Sequence, residues 1–459
     1  MINHNLKRQP YSHQLEGMEA MINGGYGFCN FAEPGCGKSA MVVGALNHLQ
    51  VKRVLIVCPS SLKYNWNREF EYSEVEWHVV VLEGSGHQKD KTLKEIKLSA
   101  KPIVVITNYD SLDRLRNSLQ NYSPEVIVAD EVHACKNPKA KRTKALKSVK
   151  TARRWALTGT PVLNNPLDVW SIIDWVRPGH LHKNYFAFRA YHCNIYTGAG
   201  FPIIKGYRYL DELKRKVNAV SYRVTKEECL DLPEKMWTER AVILSPPEER
   251  IYHQMAKEMV AEIGEAEVYA STMLVKMLRL TQITSGFIMN EGITTRIGDS
   301  KLKVLEEILE ELDGKKVVIW HHFKEEGAMI QELCQKLGRP YRQLIAKDDP
   351  VVRQMQVNEF QELSEPLVMI GSVAIGGMGI TLTGANHCVY YSNTFSQSDR
   401  LQSQDRLHRI GQTNKVTYID LVVPNTIDSY ILKVLKNKAE IANRITGDTL
   451  SKILVDKQN

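Results

Sequence analysis

The residues with the clearest chemical purpose lie near the start of the chain, in a glycine-bearing turn at residues 32–39. The short apolar run at 26–31 predicts a buried strand before this turn, and the apolar residues after Ser39 predict a helix. Gly35 and Gly37 would allow the backbone to turn its N–H groups toward an anion, and the helix N-terminus would add its dipole. Strand, turn and helix together predict a phosphate-binding loop.

Several side chains of this region could act on a bound nucleotide. Lys38 can reach the terminal phosphates, and the Ser39 hydroxyl can ligate Mg²⁺. Upstream, Gln14 could read the adenine edge with its amide. Cys36 lies between the two glycines, beside the helix N-terminus and Lys38, and both should favour a reactive thiolate that ATP would protect. The alternative for Cys36 is an inert, partly buried cysteine.

A second group of polar residues, Asp130, Glu131 and His133, follows a buried apolar run at 126–129. In a parallel sheet, ligands gather beyond the carboxyl ends of the strands. Asp130 could hold Mg²⁺, directly or through water, and Glu131 could orient and deprotonate an attacking water. Neighbouring acidic residues are common on surfaces, but their position after a buried strand favours catalysis. The predicted ligands are therefore ATP and Mg²⁺.

Short apolar runs rich in β-branched residues alternate with helical stretches in both halves of the chain. They lie at residues 53–58, 79–82, 103–107, 126–129, 317–320, 367–371, 388–391 and 416–419. This alternation predicts an α/β fold with mostly parallel sheets flanked by helices. With 459 residues, the chain is also too long for a single core, so we expect two or three domains.

Composition narrows the function classes only slightly. The formal charge of +8 is compatible with a nucleic-acid partner but is weak support by itself. The eight cysteines include no C-x-x-C pair, which favours a reducing compartment over a disulfide framework or a structural zinc site. No apolar run approaches the roughly 20 residues of a membrane span, and the polar N-terminus shows no secretory signal. We therefore expect a cytoplasmic protein, or one of the nucleoid or nucleus, with no membrane partner.

Two stretches could contact a nucleic acid. Residues 134–167 contain nine lysines and arginines and no acidic residue, which is consistent with a phosphate-binding surface and equally with a solvated helical face. Residues 184–221 mix aromatic and basic side chains that could stack on bases, although a small satellite core is the preferred interpretation.

Three motifs, in order, resemble motifs I, II and III of helicase superfamily two: Glu-Pro-Gly-Cys-Gly-Lys-Ser at 33–39, Asp-Glu-Val-His at 130–133 and Leu-Thr-Gly-Thr-Pro at 157–161. Residues 157–164, 167, 170 and 177–179 resemble the Swi/Snf-type ATPases more closely, as do Lys-Asn-Pro at 136–138. Residues 402–412 resemble motif VI of that family nearly residue for residue. Glu33-Pro34 and Val132 depart from the usual motif residues, but neither removes a needed chemical group.

The resemblance extends from about residue 10 to 447 and implies two RecA-like lobes with ATP at their interface. Lobe 1 would comprise residues 1–222, with a helical protrusion at about 180–222, and residues 223–240 would link the lobes. Lobe 2 would comprise residues 241–459, with a helical protrusion at about 245–298 and a C-terminal bracing helix. No appended domain is expected beside this motor.

The resemblance also implies roles for individual residues. At helical spacing, Gln402, Arg406 and Arg409 would share one face, and the two guanidiniums could fork onto phosphate oxygens. The expected roles are catalysis for Lys38, Glu131, Arg406 and Arg409; ATP binding for Gln14, Gly35, Cys36, Gly37, Lys38, Ser39 and Gln402; metal binding for Ser39 and Asp130; coupling for His133, Thr158, Thr160, Gly377 and Gly379; and nucleic-acid contact for Ser60, Ser61, Asn108 and Thr381.

The function implied is an ATP-driven motor that tracks along DNA, with duplex DNA favoured, acting as a monomer or with an unidentified protein partner. One alternative is a helicase that separates DNA or RNA strands, which needs a wedge in addition to the same engine. Another is a non-catalytic clamp that ATP locks onto nucleic acid, against which the intact Glu131 argues.

Overall fold

The structure is a computed structural model that describes residues 2–96, 101–162, 165–196, 203–229, 231–264, 270–290, 292–345 and 347–446. Residues 163–164 of the motif III region and residues 447–459 of the predicted second lobe lie outside these ranges. The chain divides into two compact units, one of Met1–Asp231 with Lys438–Asn459 and one of Leu232–Asn437. Each unit is described by itself.

The first unit alternates strands and helices along the chain. In order they are α1 Ser12–Asn23, β1 Gly27–Asn30, α2 Lys38–His48, β2 Arg53–Cys58, α3 Lys63–Glu71, β3 His78–Val81, α4 Gly86–Glu95, β4 Ile103–Asn108, α5 Leu112–Tyr122, β5 Val126–Asp130, α6 Lys141–Ser148, β6 Arg153–Leu157, α7 Asp168–Val176, α8 Tyr185–His192, β7 Cys193–Tyr196, β8 Ile203–Tyr207, α9 Leu210–Asn218, β9 Ser221–Tyr222 and α10 Lys226–Cys229.

Seven strands of this unit form one parallel sheet in the order β3-β4-β2-β5-β6-β1-β9. Because side chains alternate across a strand, β2 sends Leu55 and Val57 into the core on one face and Val54 and Ile56 into the core on the other. A strand buried on both faces reads as a continuous apolar run, which is why the pattern at 53–58 predicted it.

The second unit repeats this plan. Its elements are β10 Lys235–Ala241, α11 Pro246–Gly264, α12 Ala270–Thr284, β11 Phe287–Asn290, β12 Ile293–Arg296, α13 Ser300–Glu311, β13 Val317–His321, α14 Lys324–Lys336, β14 Tyr341–Leu344, α15 Pro350–Glu362, β15 Val368–Ser372, β16 His387–Tyr390, α16 Gln397–Gln404, β17 Val416–Val422 and α17 Ile427–Thr446, whose residues from Lys438 belong to the first unit. Six strands form a parallel sheet in the order β10-β17-β16-β13-β15-β14.

The predicted α/β fold with two parallel sheets flanked by helices is confirmed. Three sheet strands that the sequence did not predict, β9, β10 and β14, lie at sheet edges. There the side chains are largely half-buried or exposed, so no apolar run marks them. Both predicted protrusions also contain an antiparallel hairpin, β7–β8 in one and β11–β12 in the other.

The segment predicted to link the lobes, residues 223–240, is divided between the units. Val224 packs into the core of the first unit, whereas Lys235–Ala241 is strand β10 of the second sheet. Near the C-terminus, Ile445 is buried in a core cluster of the first unit. Among the described residues, no helix is long and apolar enough to cross a bilayer.

Candidate active site

Three neighbouring strands of the first sheet end at the same level and bring the predicted motifs together. In the pairing register, Leu157 of β6 lies beside both Asn30 of β1 and Asp130 of β5. The phosphate loop follows β1, Glu131 follows β5 and Thr158 follows β6. The carboxyl edge of this sheet therefore gathers the three motifs, which lie far apart in sequence.

The phosphate loop has the backbone conformation that its glycines allow. Gly35 and Gly37 have φ values of +92° and +81°, in the left-handed region. The Cys36 carbonyl between them lies 3.4 Å from Gln14 Nε2 and 3.1 Å from His13 Nε2. A Cβ atom on Gly37 would lie only 2.1 Å from Gln14 Nε2, so glycine is required for this approach. Gln14 thus lies against the loop, and His13 is an additional contact that the sequence reasoning missed.

Lys38 begins α2 and points back into the loop. Its Nζ donates a hydrogen bond of 2.8 Å to the Ala32 carbonyl. A phosphate at the helix N-terminus could replace the Ala32 carbonyl as the acceptor for the Lys38 ammonium, since an anion is a stronger acceptor than a neutral carbonyl. Ser39 follows in the first turn of the helix. Backbone amides, an ammonium and a hydroxyl at one helix start fit the triphosphate of a nucleotide.

The other end of the loop is held by residues that the sequence analysis did not single out for this. Glu33 lies 3.2 Å from Nη2 of Arg223 and accepts a hydrogen bond of 3.0 Å from the Lys226 amide. The Arg223 guanidinium also donates to the carbonyls of Phe31 and Gly159. A segment nearly 200 residues downstream therefore braces the phosphate loop.

Asp130 is buried and carries two hydrogen bonds at its carboxylate. Trp66 Nε1 donates to Oδ2 at 2.9 Å, and the Glu131 amide donates to Oδ1 at 2.9 Å. Burial and the negative charge of Glu131 raise the pKa of Asp130 to about 6, although Trp66, Lys38 and the Glu131 amide act in the opposite direction. A buried carboxylate destabilised in this way suits a divalent cation, which would restore the charge balance. Trp66 gave no signal in the sequence beyond its position in a helix.

Glu131 is connected to the residues predicted to couple the nucleotide state. Its Oε2 lies 3.1 Å from His133 Nδ1, and the same nitrogen lies 3.2 Å from Thr158 Oγ1. Thr158 Oγ1 in turn accepts a hydrogen bond of 3.1 Å from the Thr160 amide. The structure therefore brings Glu131, His133, Thr158 and Thr160 into one continuous polar chain.

The expectation of a reactive Cys36 thiolate is wrong for this conformation. The side chain is buried, and desolvation raises the pKa of its thiol well above the ordinary value, with Lys38 opposing only in part. The Cys36 and Cys229 sulfur atoms lie 3.3 Å apart, and the hydrogen bond between the two thiols raises the pKa of Cys36 further. The helix N-terminus does not outweigh loss of contact with water.

In the second unit, the predicted motif VI arginines do not continue a helix. Helix α16 ends at Gln404, and turns follow from Asp405 onward. Both guanidiniums nevertheless converge, since Nη1 of Arg406 and Nη1 of Arg409 each donate to the Ile380 carbonyl at 3.3 Å. Arg406 Nε also donates to the Gln402 carbonyl at 3.1 Å. Burial lowers the pKa of Arg409, opposed by Asp405.

Helix α16 is anchored to β17 by a buried ion pair that the sequence reasoning missed. Arg400 donates to both Asp420 oxygens, at 2.6 and 2.8 Å, and its guanidinium lies 3.5 Å from the centre of the Tyr390 ring. Burial alone would lower the pKa of Arg400, but Asp420 and its hydrogen bonds raise it overall. This anchor positions the segment that carries Arg406 and Arg409.

The coupling glycines precede these turns. Gly377 lies in a 3-10 segment, Val373–Met378, and Gly379 follows with a φ of +75°. The Ile380 carbonyl comes next and is the acceptor that the two arginines share. The segment that contains Gly377 and Gly379 is therefore in contact with the motif VI arginines within the second unit.

The predicted nucleic-acid residues lie in both units. Ser60 and Ser61 are exposed after β2, and Asn108 ends the adjacent strand β4 at the same level of the sheet. The Asn108 side chain already accepts hydrogen bonds from Lys89, at 3.1 Å, and Ser111, at 2.6 Å. Thr381 is half-buried in the second unit.

The acid-free stretch at 134–167 is only partly a free basic surface. Lys136 and Lys147 pair with carboxylates of α7, and two arginines donate to backbone carbonyls. The remaining basic residues are exposed: Lys139, Lys141, Arg142, Lys144 and Lys150. A smaller cationic face around the start of α6 is what can meet a polyanion.

Comparison with known proteins places this architecture among described families. The profile of the SNF2-related domain matches residues 13–286, and that of the helicase conserved C-terminal domain matches residues 300–411. An uncharacterized ATP-dependent helicase of Mycoplasma genitalium is 25% identical over 446 residues, which are 94% of this chain and 42% of that protein. The ATP-dependent DNA helicase DDM1 of Arabidopsis thaliana is 25% identical over 495 residues, covering 95% of this chain and 62% of that protein.

The chain thus spans less than two thirds of the length of both relatives. Among solved structures, the SWI2/SNF2 ATPase core of Sulfolobus solfataricus in complex with dsDNA is 25% identical, with coverage of 99% of this chain and 98% of that chain and a TM-score of 0.47.

Proposed function

The chain belongs to the SNF2-related family, and from that premise we propose that it is an ATP-hydrolysing motor that tracks along duplex DNA. The observation that carries the proposal is the common sheet edge at which β1, β5 and β6 end. It gives Lys38, Asp130 and Glu131 to a single site, with a phosphate loop on one side and a carboxylate pair on the other. Phosphoryl transfer to water needs these groups together.

In this proposal, ATP occupies the loop of the first unit. Gln14 reads the adenine edge, the amides after Gly35 and Gly37 bind the phosphates, and Lys38 moves from the Ala32 carbonyl to the terminal phosphates. Asp130 and Ser39 would hold Mg²⁺. When bound, Mg²⁺ neutralises charge that develops on the phosphoryl oxygens. Trp66 keeps one Asp130 oxygen fixed while the other faces the Glu131 amide.

Glu131 is the proposed general base. It would accept a proton from the attacking water at its carboxylate, while His133 holds that carboxylate in place. Because His133 also contacts Thr158, a change at Glu131 reaches the turn at Thr160. This chain of contacts is the proposed route from nucleotide state to the surface loops, and it gives the coupling residues a physical connection.

The second unit would supply the cationic groups. Arg406 and Arg409 converge on one carbonyl, which brings their two positive charges close together. We propose that they stabilise the transferring phosphoryl group when the two lobes close on ATP. Gln402, whose carbonyl holds Arg406, would assist, and Gly377 and Gly379 would transmit closure to the DNA contacts. The lobe boundaries proposed are those implied by the family resemblance.

Backbone contacts are the proposed mode of DNA binding. Exposed Lys139, Lys141, Arg142 and Lys144 support it, as do relatives named for DNA. Changing Lys141 and Lys144 to glutamine should make the slope of log binding constant against log salt concentration shallower by about 2, as expected for the loss of two phosphate contacts. The sequence preference should not change. The matched control changes Lys91 and Lys94 of α4 to glutamine. These lysines are exposed but already pair with carboxylates, so their substitution should change the salt slope of DNA binding less.

The deciding experiment measures ATP hydrolysis without nucleic acid and with single-stranded DNA, duplex DNA and duplex RNA. The proposal expects the largest stimulation by duplex DNA, together with displacement of a third strand from a triplex without separation of the duplex. Glu131→Gln should lower turnover at least about a hundredfold while preserving ATP binding, whereas Lys38→Ala should weaken binding itself. Equal turnover of Glu131→Gln and the unaltered protein would remove Glu131 as the base, whereas ATP binding without hydrolysis by the unaltered protein would favour a clamp.

A strand-separating helicase remains the second candidate, because one observation favours it. The protrusion of the first unit contains the hairpin β7–β8, within the segment where a wedge would be expected. The test measures unwinding of a forked duplex. Unwinding by the unaltered protein but not by a variant with a shortened hairpin would support a strand-separating helicase. A variant that retains triplex displacement would show that the engine itself is intact.

A further inference from the structure

The chain has eight free cysteines, and among the described residues the thiols of Cys36 and Cys229 form a hydrogen-bonded pair. Their sulfur atoms are 3.3 Å apart, although the residues are separated by 193 positions in sequence. Cys36 lies inside the phosphate loop and Cys229 ends the short helix α10. Both residues belong to the first unit. The sequence does not predict this proximity, which arises only in the folded unit.

A covalent link between the two sulfur atoms would require only a small movement of each. A disulfide requires the sulfur atoms to approach to roughly 2.0 Å, so each has to move by only a fraction of an ångström beyond a rotation of its side chain. Gly35 and Gly37 flank Cys36 and give the loop freedom to adjust. Cys229 is half-buried, whereas Cys36 is enclosed, so a small reagent in solvent reaches Cys229 first.

We propose that Cys36 and Cys229 form a reversible disulfide when the protein meets a peroxide. The Cys229 sulfur attacks one oxygen of hydrogen peroxide, breaks the O–O bond and becomes a sulfenic acid, with water leaving after protonation. The Cys36 sulfur then attacks the Cys229 sulfur, and a second water leaves as the S–S bond forms. Two thiols lose two hydrogens in total, and the peroxide is reduced to two waters.

The consequence for the nucleotide follows from what surrounds Cys36. Its carbonyl is held by His13 and Gln14, and its backbone lies in the middle of the loop that would wrap the phosphates. A bond to α10 would tether this backbone and restrict its adjustment around bound phosphates. Oxidation should therefore weaken ATP binding, and this part of the inference rests on the proposed function. By reciprocity, bound ATP should disfavour the disulfide at equilibrium.

Burial and neighbouring charges lead us to expect slow formation of the disulfide. Burial raises the pKa of both thiols, and Glu33 and Glu228 add negative charge near Cys229, opposed by Lys226. The protonated thiols react sluggishly, so a brief exposure to peroxide leaves the loop reduced. Sustained oxidation is required for the disulfide to accumulate.

The test treats the full chain with hydrogen peroxide, blocks remaining thiols with iodoacetamide and maps disulfides by mass spectrometry without reduction. We expect a peptide cross-linked between Cys36 and Cys229 and ATP binding about tenfold weaker. Dithiothreitol should restore both the free thiols and the ATP affinity. The variant Cys229→Ser should keep the basal ATPase and lose its sensitivity to peroxide. Cys334→Ser, at a buried cysteine of the second unit, is the matched control and should remain sensitive.

Each outcome decides a separate point. Absence of the cross-linked peptide overturns the disulfide, and an unchanged ATP affinity of the cross-linked protein overturns the locking of the loop. If the reduced protein binds no ATP, the proposed function fails, and the mass-spectrometric result still decides the disulfide. Peroxide sensitivity that persists in Cys229→Ser assigns the effect to another thiol and overturns the site.

Discussion

The most direct test of the phosphate loop is the substitution Gly37→Ala. Gly37 has φ and ψ of 81° and 35°, and an alanine there meets two obstacles. The left-handed conformation costs an L-residue about 1–2 kcal/mol. The added Cβ would also lie 2.1 Å from Gln14 Nε2, so Gln14 must leave its contact with the Cys36 carbonyl.

The backbone cost can appear in either of two measurements. If the substituted residue retains the left-handed conformation, the free energy of unfolding falls by about 1–2 kcal/mol. If the loop relaxes instead, ATP binding must restore the conformation, and the same energy corresponds to roughly 5- to 30-fold in Kd. Displacement of Gln14 should add a further loss of ATP affinity in both cases, because the proposed contact with adenine would be lost.

The assays are fluorescent-nucleotide binding and a denaturant titration on four variants, each compared with the unaltered protein. Gly25→Ala is the matched control, since Gly25 has a φ of +67° and open space around an added Cβ. It should lose stability to a similar degree and leave ATP affinity unchanged. The variant Gln14→Ala and the double variant with Gly37→Ala separate the clash from the strain, because the clash disappears once the Gln14 side chain is gone.

One result refutes the reasoning directly. If Gly37→Ala has the same unfolding free energy and the same ATP affinity as the unaltered protein within experimental error, the loop does not need the left-handed conformation. The nucleotide would then bind elsewhere. If the double variant is impaired as strongly as the sum of the single variants, Gln14 and Gly37 do not interact and the predicted clash is wrong.

Three further predictions concern residues that hold the site together. Arg409→Ala should leave ATP binding nearly intact and lower DNA-stimulated hydrolysis by about 10³, and Arg409→Lys should not restore it because a point charge lacks the planar fork; DNA-stimulated turnover in the alanine variant would contradict the two-lobe mechanism. Trp66→Phe removes the donor to Asp130 and should weaken the apparent Mg²⁺ affinity about 10- to 100-fold in a Mg²⁺ titration of the ATPase, while an unchanged titration would show that the hydrogen bond does not orient the carboxylate. Arg400→Met should destabilise the second unit by about 3–5 kcal/mol because Asp420 stays buried without its cationic partner, although Asn393 still donates a hydrogen bond to it. Adding Asp420→Leu should recover most of that loss in a denaturant titration, and a single variant as stable as the unaltered protein would contradict the buried pair.

The fold was predictable from sequence wherever strands are buried on both faces. The runs at 103–107 and 126–129 match β4 and β5 almost to the residue, since a fully buried strand must be apolar along its length. Edge strands lack that constraint, so β10, whose sequence is Lys-Met-Trp-Thr-Glu-Arg-Ala, gave no apolar run. The linker expected at 223–240 therefore contains a strand that only the pairing with β17 reveals.

The helix expected through motif VI shows a second limit. Spacing of three and four residues is compatible with a helix, but it does not require one. Helix α16 ends at Gln404, and Arg406 and Arg409 reach the Ile380 carbonyl from a turn. The structure brings the two guanidiniums together, but from a turn and not from the expected helical face. A shared acceptor on another segment replaces the shared helical face.

By itself, the sequence determined the chemistry that depends on short spacing. Gly35, Gly37 and Lys38 define a phosphate loop because a tight turn before a helix needs those residues within a few positions. The acidic pair after β5 is equally local, since a strand end and its next residue are adjacent in any fold.

Only the tertiary structure decided which distant groups meet at that edge. Trp66 reaches Asp130, Arg223 braces Glu33, and Cys36 faces Cys229 because the strand order β2-β5-β6-β1-β9 places their segments side by side. Hydrophobic periodicity reports which face of a strand is buried and carries no information about which strand lies next to it. Strand order is set by how all the helices and strands pack at once, and the side-chain contacts across it follow from that packing.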